Sequence, residues 1–137
     1  MKPKKYIILG LFVMIITATS CKRDINNPYD PECPKEIWTP RNFEVIQPPN
    51  KNAVELSWSQ DITHIDGFKI DRKVGSLEWA NVITLGKNDI SWTDNQISPL
   101  VLHQYRIYAI AGDNQSNTVT GEITPIFTGV ITDKTGN

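Results

Sequence analysis

The most informative stretch of the sequence is ISPLVLHQYRIYAIAG, residues 97–112. From His103 onward, every second side chain is apolar or aromatic, which is the two-residue period of a β-strand. The face predicted to lie in the core carries His103, Tyr105, Ile107 and Ala109, and the opposite face carries Gln104, Arg106, Tyr108 and Ile110. Because one face of such a strand must be buried, a second layer of structure is expected to cover it.

Short runs of the same kind recur every eight to twelve residues after Pro40, separated by turn residues. This spacing is typical of an all-β sandwich or barrel, and no segment shows the sustained 3.6-residue period of a long helix. The predicted strands, seven in number, cover residues 42–47, 53–59, 67–74, 79–85, 90–93, 103–111 and 117–124. The core residues predicted in the second and third strands are Val54, Leu56, Trp58, Phe68 and Ile70.

Residues 40–125 resemble a fibronectin type III domain. The run AVELSW resembles the second strand of that family, with Trp58 as its core tryptophan, and IDGFKIDRK resembles the third. The resemblance implies an all-β, immunoglobulin-like sandwich of seven antiparallel strands.

The corner before the sixth strand is the most informative part of the resemblance. The family carries Leu-x-Pro-x-x-x-Tyr there, and this chain has Ile97, Pro99 and His103 at the three positions. A corner tyrosine donates a hydrogen bond to nearby backbone. The resemblance therefore implies that His103→Tyr would stabilise the protein by about 1 kcal/mol.

The N-terminus predicts an export signal over residues 1–20. Three lysines precede an apolar run at residues 6–16, which is shorter than the ~20 residues needed to cross a membrane but suits a secretory signal. The next stretch, TATSCKRD at residues 17–24, resembles the bacterial lipobox, with Ala18 where that family usually has leucine. The resemblance implies cleavage before Cys21 and a lipid anchor on its sulfur, and hence membrane as a partner. The alternatives are an ordinary cleaved signal with an incidental cysteine and an uncleaved anchor.

Residues 21–39 are predicted to form an acylated cysteine and a Pro-rich tether. Pro28, Pro31 and Pro34 recur every three residues, which favours an extended polyproline-like segment of up to about 55 Å. Cys33 in this segment is predicted to be a tolerated free thiol, with pairing between chains as the alternative. The residues Lys22-Arg23-Asp24 loosely resemble signals that send lipoproteins to the cell surface, so we expect a lipid-anchored protein of the bacterial outer membrane, with surface exposure as a further expectation.

The C-terminal tail, residues 126–137, is not a polar tail. Its last nine residues, GVITDKTGN, resemble the opening of a FISUMP domain, which would make the chain the anchoring stub of a longer protein. The alternative is that the tail folds back as an edge strand or hangs loose.

The composition excludes several classes of function. Without the three signal lysines, 11 basic residues remain against 15 acidic ones, so there is no electrostatic case for nucleic acid. No nucleophile elbow, phosphate-binding loop or HExxH pattern occurs. We therefore predict no enzyme, no cofactor and no metal, and we interpret His64, between Asp61 and Asp66, as a solvated loop residue.

Three functions remain open: an anchored spacer or accessory module, a domain with its own protein or glycan ligand, and the anchoring stub. The candidate interaction face is the outer side of the third and sixth strands, with Lys69, Asp71, Arg106, Tyr108 and Ile110. Tyrosine and arginine are enriched at interaction hot spots. Trp79 and Trp92 are predicted to pack in the core or at a sheet edge rather than to form a platform for glycans.

Overall fold

The structure is a computed structural model that describes residues 26–129. The predicted signal peptide, Cys21 and most of the GVITDKTGN segment lie outside the described residues. The strands are β1 Arg41–Ile46, β2 Val54–Ser59, β3 Gly67–Val74, β4 Ala80–Gly86, β5 Ser91–Asp94, β6 His103–Ala111, β7 Asn114–Gln115 and β8 Val119–Ile123. A 3-10 helix, Lys35–Ile37, precedes them. Between residues 26 and 129, no helix has the length and apolar character to span a membrane.

The strands form two antiparallel sheets that pack face to face, as predicted. One sheet has the order β1-β2-β5, and the other has β4-β3-β6, with β7 and β8 both pairing with β6. The seven predicted strands are present: 67–74 and 103–111 have the predicted bounds, the other five are shifted by one or two residues, and β7 is an addition of two residues. It is separated from β8 because Ser116 Oγ accepts the main-chain N–H of Ala109 at 3.0 Å, in place of a regular ladder.

The core lies between the two sheets. Phe68 pairs with Ala109 and Ile70 with Ile107 in the β3–β6 register, so all four side chains share one face. The Trp58 ring from the other sheet meets the Phe68 ring edge to face, with centroids 5.4 Å apart. Every residue that the sequence assigned to the core is no more than 5% exposed, namely Val54, Leu56, Trp58, Phe68, Ile70, His103, Tyr105, Ile107 and Ala109.

Both ring nitrogens of His103 form hydrogen bonds at the corner before β6. Nδ1 lies 2.8 Å from the carbonyl oxygen of Val101 and donates to it, and the main-chain N–H of Ser98 donates to Nε2 at 3.2 Å. The tautomer that fits these partners carries its proton on Nδ1. His103 thus already satisfies two main-chain groups at this corner, and the stabilisation by His103→Tyr stays a prediction.

The N-terminal segment packs against the sandwich instead of forming a free tether, which corrects the prediction for residues 26–39. Trp38 is 1% exposed and joins the core, as does Cys33. The Gln60 side chain donates to the main-chain oxygen of Trp38 at 2.8 Å, and the Asn114 side chain donates to that of Pro28 at 3.0 Å. The three-residue proline period indicated an extended backbone, but burial of one indole and one thiol stabilises a docked segment.

The docked segment defines one end of the sandwich, which we call the N-terminal end. The Tyr29 hydroxyl donates to Asp66 in the β2–β3 loop at 2.6 Å, and the main-chain N–H of Gly112, at the β6–β7 turn, donates to the same carboxylate at 2.7 Å. The hydrogen bond from Tyr29, followed by that from Gly112, lowers the pKa of Asp66.

The opposite end, which we call the distal end, carries the β1–β2, β3–β4 and β5–β6 turns and the chain exit. The N–H of Gly75 donates to Leu102 O at 2.8 Å, and that of Leu100 donates to Pro125 O at 2.7 Å. After β8 the chain runs along the β1–β2 loop, where Ile126 and Gln47 exchange two hydrogen bonds of 2.8 and 2.9 Å. The part of the tail that is described thus folds back without becoming a strand.

We predict that Trp38→Ala will lower the free energy of unfolding by about 3 kcal/mol, as truncation of a buried aromatic side chain does. Urea denaturation measures this. Tyr29→Phe is the control, because it removes only an exposed hydrogen bond and should cost less than about 1 kcal/mol. A loss below about 1 kcal/mol for Trp38→Ala would mean that the N-terminal segment unfolds independently of the sandwich.

Candidate functional site

The five residues of the predicted interaction face lie together on the outer side of the β3–β6 pair. Lys69 is opposite Tyr108, Asp71 is opposite Arg106, and Ile110 is opposite Gly67. We call this surface the β3–β6 face. The alternation of both strands, recognisable in the sequence, is what places these side chains side by side.

Arg106 is held in place from two sides. Its Nε donates to Asp71 Oδ2 at 2.8 Å, and its guanidinium lies 4.7 Å from the centre of the Trp79 ring. Asn81 Nδ2 donates to the other Asp71 oxygen at 3.1 Å. Asp71 is only 5% exposed, so its role is to orient Arg106 rather than to contact a partner.

The part of the β3–β6 face that a partner could touch is formed by Lys69, Arg106, Tyr108 and Ile110, each partly exposed. Burial, and then the nearby charge of Asp71, raises the pKa of Tyr108 above its ordinary value, so its hydroxyl remains a hydrogen-bond donor even at moderately alkaline pH. Trp79, just before β4, extends this surface through its contact with Arg106, whereas its sequence context predicts a packing role alone.

A second polar cluster lies inside the sandwich, where the sequence analysis placed no functional residue. Asp94, at the end of β5, is 1% exposed. Its Oδ2 accepts from Arg72 Nη1 at 2.6 Å and from the Tyr105 hydroxyl at 2.8 Å, and its Oδ1 accepts the main-chain N–H of Gln96 at 2.9 Å. Asp94 belongs to the β1-β2-β5 sheet, whereas Arg72 in β3 and Tyr105 in β6 belong to the other sheet. The Asp94 carboxylate therefore joins the two sheets. We call the three side chains the Asp94 clasp.

One signal in the sequence could have revealed the clasp. Alternation puts Arg72 on the same face of β3 as Phe68 and Ile70, and the register pairs it with Tyr105. A charged residue at a core position requires a buried partner of opposite charge. The sequence does not say which acidic residue supplies it, because β5 lies in the other sheet.

A cleft of about 530 Å³ opens beside the clasp, between the edge strands β4 and β5. Arg72 and Asp94 form its floor, and Trp92 with two short apolar side chains forms its walls. The residues that line it are Arg72, Ala80, Asn81, Val82, Trp92, Thr93, Asp94, Asn95 and Gln96. We call it the β4–β5 cleft.

The remaining candidates for chemistry do not assemble into a site. His64 is exposed in the β2–β3 loop. Among residues 26–129, no three His, Cys, Asp or Glu side chains are grouped in a way that could hold a metal ion. Burial raises the pKa of the Cys33 thiol, which keeps it protonated and weakly nucleophilic.

Solved structures of other proteins share this architecture. A structure from a computer-based redesign of a β-sandwich protein is 21% identical, with a TM-score of 0.57 over 64% of this chain and 89% of that chain. FN3tt is 20% identical, with a TM-score of 0.54 over 66% and 95% of the two chains. An Fn3-like protein from Clostridium thermocellum is 13% identical, with a TM-score of 0.52 over 61% and 88%. The predicted fibronectin type III-like fold is therefore confirmed.

No family model matches the sequence, and no curated protein matches it.

We predict that Asp94→Asn will lower the free energy of unfolding by about 3 kcal/mol, because it leaves the Arg72 charge unpaired inside the protein. Denaturant titration of both proteins gives the difference. Asp61→Asn is the matched control: it breaks an exposed ion pair with Arg41 and should cost no more than about 0.5 kcal/mol. Equal losses in the two variants would show that the clasp does not act as a buried pair.

We also predict that Tyr105 will ionise only when the protein unfolds. Burial, followed by the hydrogen bond to Asp94, raises the pKa of Tyr105 above its ordinary value of about 10. Since the unfolded chain releases this proton first, the Tyr105 contribution to stability is complete below about pH 10 and is lost as the pH rises further. Absorbance at alkaline pH should show one tyrosine titrating together with unfolding, and Tyr105→Phe should remove that step. A Tyr105 signal that titrates in the folded protein would contradict this.

Proposed function

We propose that the protein is a non-catalytic fibronectin type III-like module, anchored at the bacterial cell envelope by a lipid on Cys21 and acting there as an accessory or interaction domain. The fold supports a non-catalytic module, and the TATSCKRD stretch supports the anchor. The observation that carries the proposal is the docking of residues 26–39 on the N-terminal end, because under the proposed anchoring it would leave only a short stretch of chain between Cys21 and the sandwich.

The docked segment also sets the distance from the membrane. Pro28 is buried and its oxygen accepts a hydrogen bond from Asn114, so six residues, or seven residue-to-residue steps, separate this fixed point from Cys21. At about 3.6 Å per residue, these reach no more than about 25 Å. The N-terminal end would therefore face the membrane and the distal end would point away from it, with the β3–β6 face at the side.

We predict that Cys21→Ser will move the protein out of the membrane fraction and abolish the incorporation of labelled fatty acid. Cell fractionation and labelling measure the two effects. Cys33→Ser is the control, because it removes the other cysteine and keeps the anchor. Membrane retention and labelling of Cys21→Ser at the level of the unaltered protein would overturn the lipoprotein proposal. Separation of inner and outer membranes then tests our proposal that the protein resides in the outer membrane.

The specific observation that favours an interaction role is the ordered Arg106, fixed between Trp79 and Asp71 beside the half-buried Tyr108. Arginine, tryptophan and tyrosine are the residues most enriched at binding hot spots, and a fixed side chain loses little entropy on binding. We propose that the β3–β6 face contacts another protein of the envelope.

Photo-crosslinking in cells tests this role. We predict that benzoylphenylalanine in place of Tyr108 forms a discrete adduct with another protein. The same replacement at Glu44, which is exposed on the outer side of the other sheet opposite Ser57, is the control and should form none. Equal adducts at both positions, or none at Tyr108, would contradict the proposal.

A further inference from the structure

We propose that the β4–β5 cleft is a binding site for an uncharged saccharide of one or two sugar rings. The cleft is separate from the β3–β6 face, and it does not depend on the anchor at Cys21. Its volume of about 530 Å³ lies within the range of small-molecule sites. Such sites are usually lined mainly by apolar side chains, whereas this one is lined by a guanidinium and three carboxamides as well as by an indole, so its chemistry suits a ligand with many polar groups.

The floor of the cleft presents hydrogen-bond donors that are already fixed in position. Arg72 Nη1 donates to Asp94 at 2.6 Å and to the main-chain oxygen of Gln96 at 2.8 Å. A guanidinium has five N–H donors. Both hydrogen bonds use Nη1, so further donors remain for a ligand oxygen. Because the clasp orders this side chain before any ligand arrives, binding to it costs little conformational entropy.

The charges at the floor of the cleft balance each other, so the cleft does not favour an ionic ligand. The positive charge of Arg72 is neutralised by Asp94, with which it forms a nearly buried ion pair. The remaining polar side chains of the lining are neutral: Thr93, Asn95, Gln96, and Asn81, whose amide N–H groups are already used by Asp71 and by main-chain oxygens. Carboxamides and hydroxyls both donate and accept hydrogen bonds, which matches the hydroxyl groups of a sugar.

The wall supplies the apolar surface that a sugar ring also needs. Trp92 is half-buried at the edge of its sheet and lines the cleft, together with Ala80 and Val82 on β4. The face of an indole carries partial negative charge, so it attracts the polarised C–H groups of a pyranose ring. The indole thus complements the apolar face of a sugar, and the fixed donors and neutral amides beside it complement the sugar hydroxyl groups.

The test is a titration of the full-length protein, purified in a zwitterionic detergent without a sugar headgroup. Cellobiose, maltose, lactose and N,N′-diacetylchitobiose are the neutral probes, and digalacturonate is the charged one. We expect the indole N–H resonance of Trp92 to shift and saturate with at least one neutral probe, while that of Trp79, outside the cleft, stays in place. No saturating shift with any neutral probe, or tighter binding of digalacturonate, overturns the proposal.

Three variants test whether the saccharide binds in the cleft. Trp92→Ala should abolish the saturating response of the backbone resonances. Gln96→Ala should weaken binding about three- to tenfold, the effect of one hydrogen bond; it leaves the clasp intact, because only the main chain of Gln96 takes part in it. Glu44→Ala, on the outer side of the other sheet and away from the cleft, should bind as the unaltered protein does. If Trp92→Ala fails to fold, the comparison of Gln96→Ala with Glu44→Ala decides the question, and equal affinities in these two overturn the proposal.

Discussion

The arrangement of the two sheets depends on the hydrogen bonds that the Asp94 carboxylate accepts. It is buried at the end of a four-residue strand and accepts hydrogen bonds from a β3 arginine, a β6 tyrosine and the chain that follows β5. Apolar packing around Phe68 and Trp58 would tolerate small shifts of one sheet over the other, because dispersion and burial are not directional. Three hydrogen bonds to one carboxylate do not tolerate such shifts, since each loses strength steeply with distance and angle. The clasp therefore selects one registration of the sheets at this edge.

The same contact shapes the surface beside it. The β4–β5 cleft lies between the edge strands of the two sheets, and Arg72 and Asp94 of the clasp are among the residues that line it. A guanidinium held by Asp94 is both a structural group and a donor available to a ligand. The β3–β6 face repeats this design on the outside of the sheet, where a nearly buried aspartate, Asp71, orients an arginine that remains partly exposed. In both places a buried aspartate holds a neighbouring arginine in position.

The docked N-terminal segment connects these surfaces to the proposed anchor. Trp38 and Cys33 fill the core near the N-terminal end, and Tyr29 reaches the β2–β3 loop through Asp66. A flexible tether would let the domain turn freely above a membrane, whereas a docked segment limits both its height and its orientation. Under the proposed anchoring, the cleft and the β3–β6 face would be presented at the sides of the domain.

The sequence alone determined the strands, their faces and the fold class. Two-residue alternation assigns each side chain to a face, and the core assignments of β2, β3 and β6 agree with the structure because local pattern and burial coincide there. The five residues of the β3–β6 face also came from alternation, since β3 and β6 are neighbours in the sheet. Which residues meet across the two sheets becomes apparent only in the folded protein. The partner of Arg72, the cleft beside Trp92, the burial of Asp71 and the docking of Trp38 all join residues that are far apart in the chain. The two-residue alternation of the sequence does not reveal such pairs, because they arise from the way in which the two sheets and the N-terminal segment pack together.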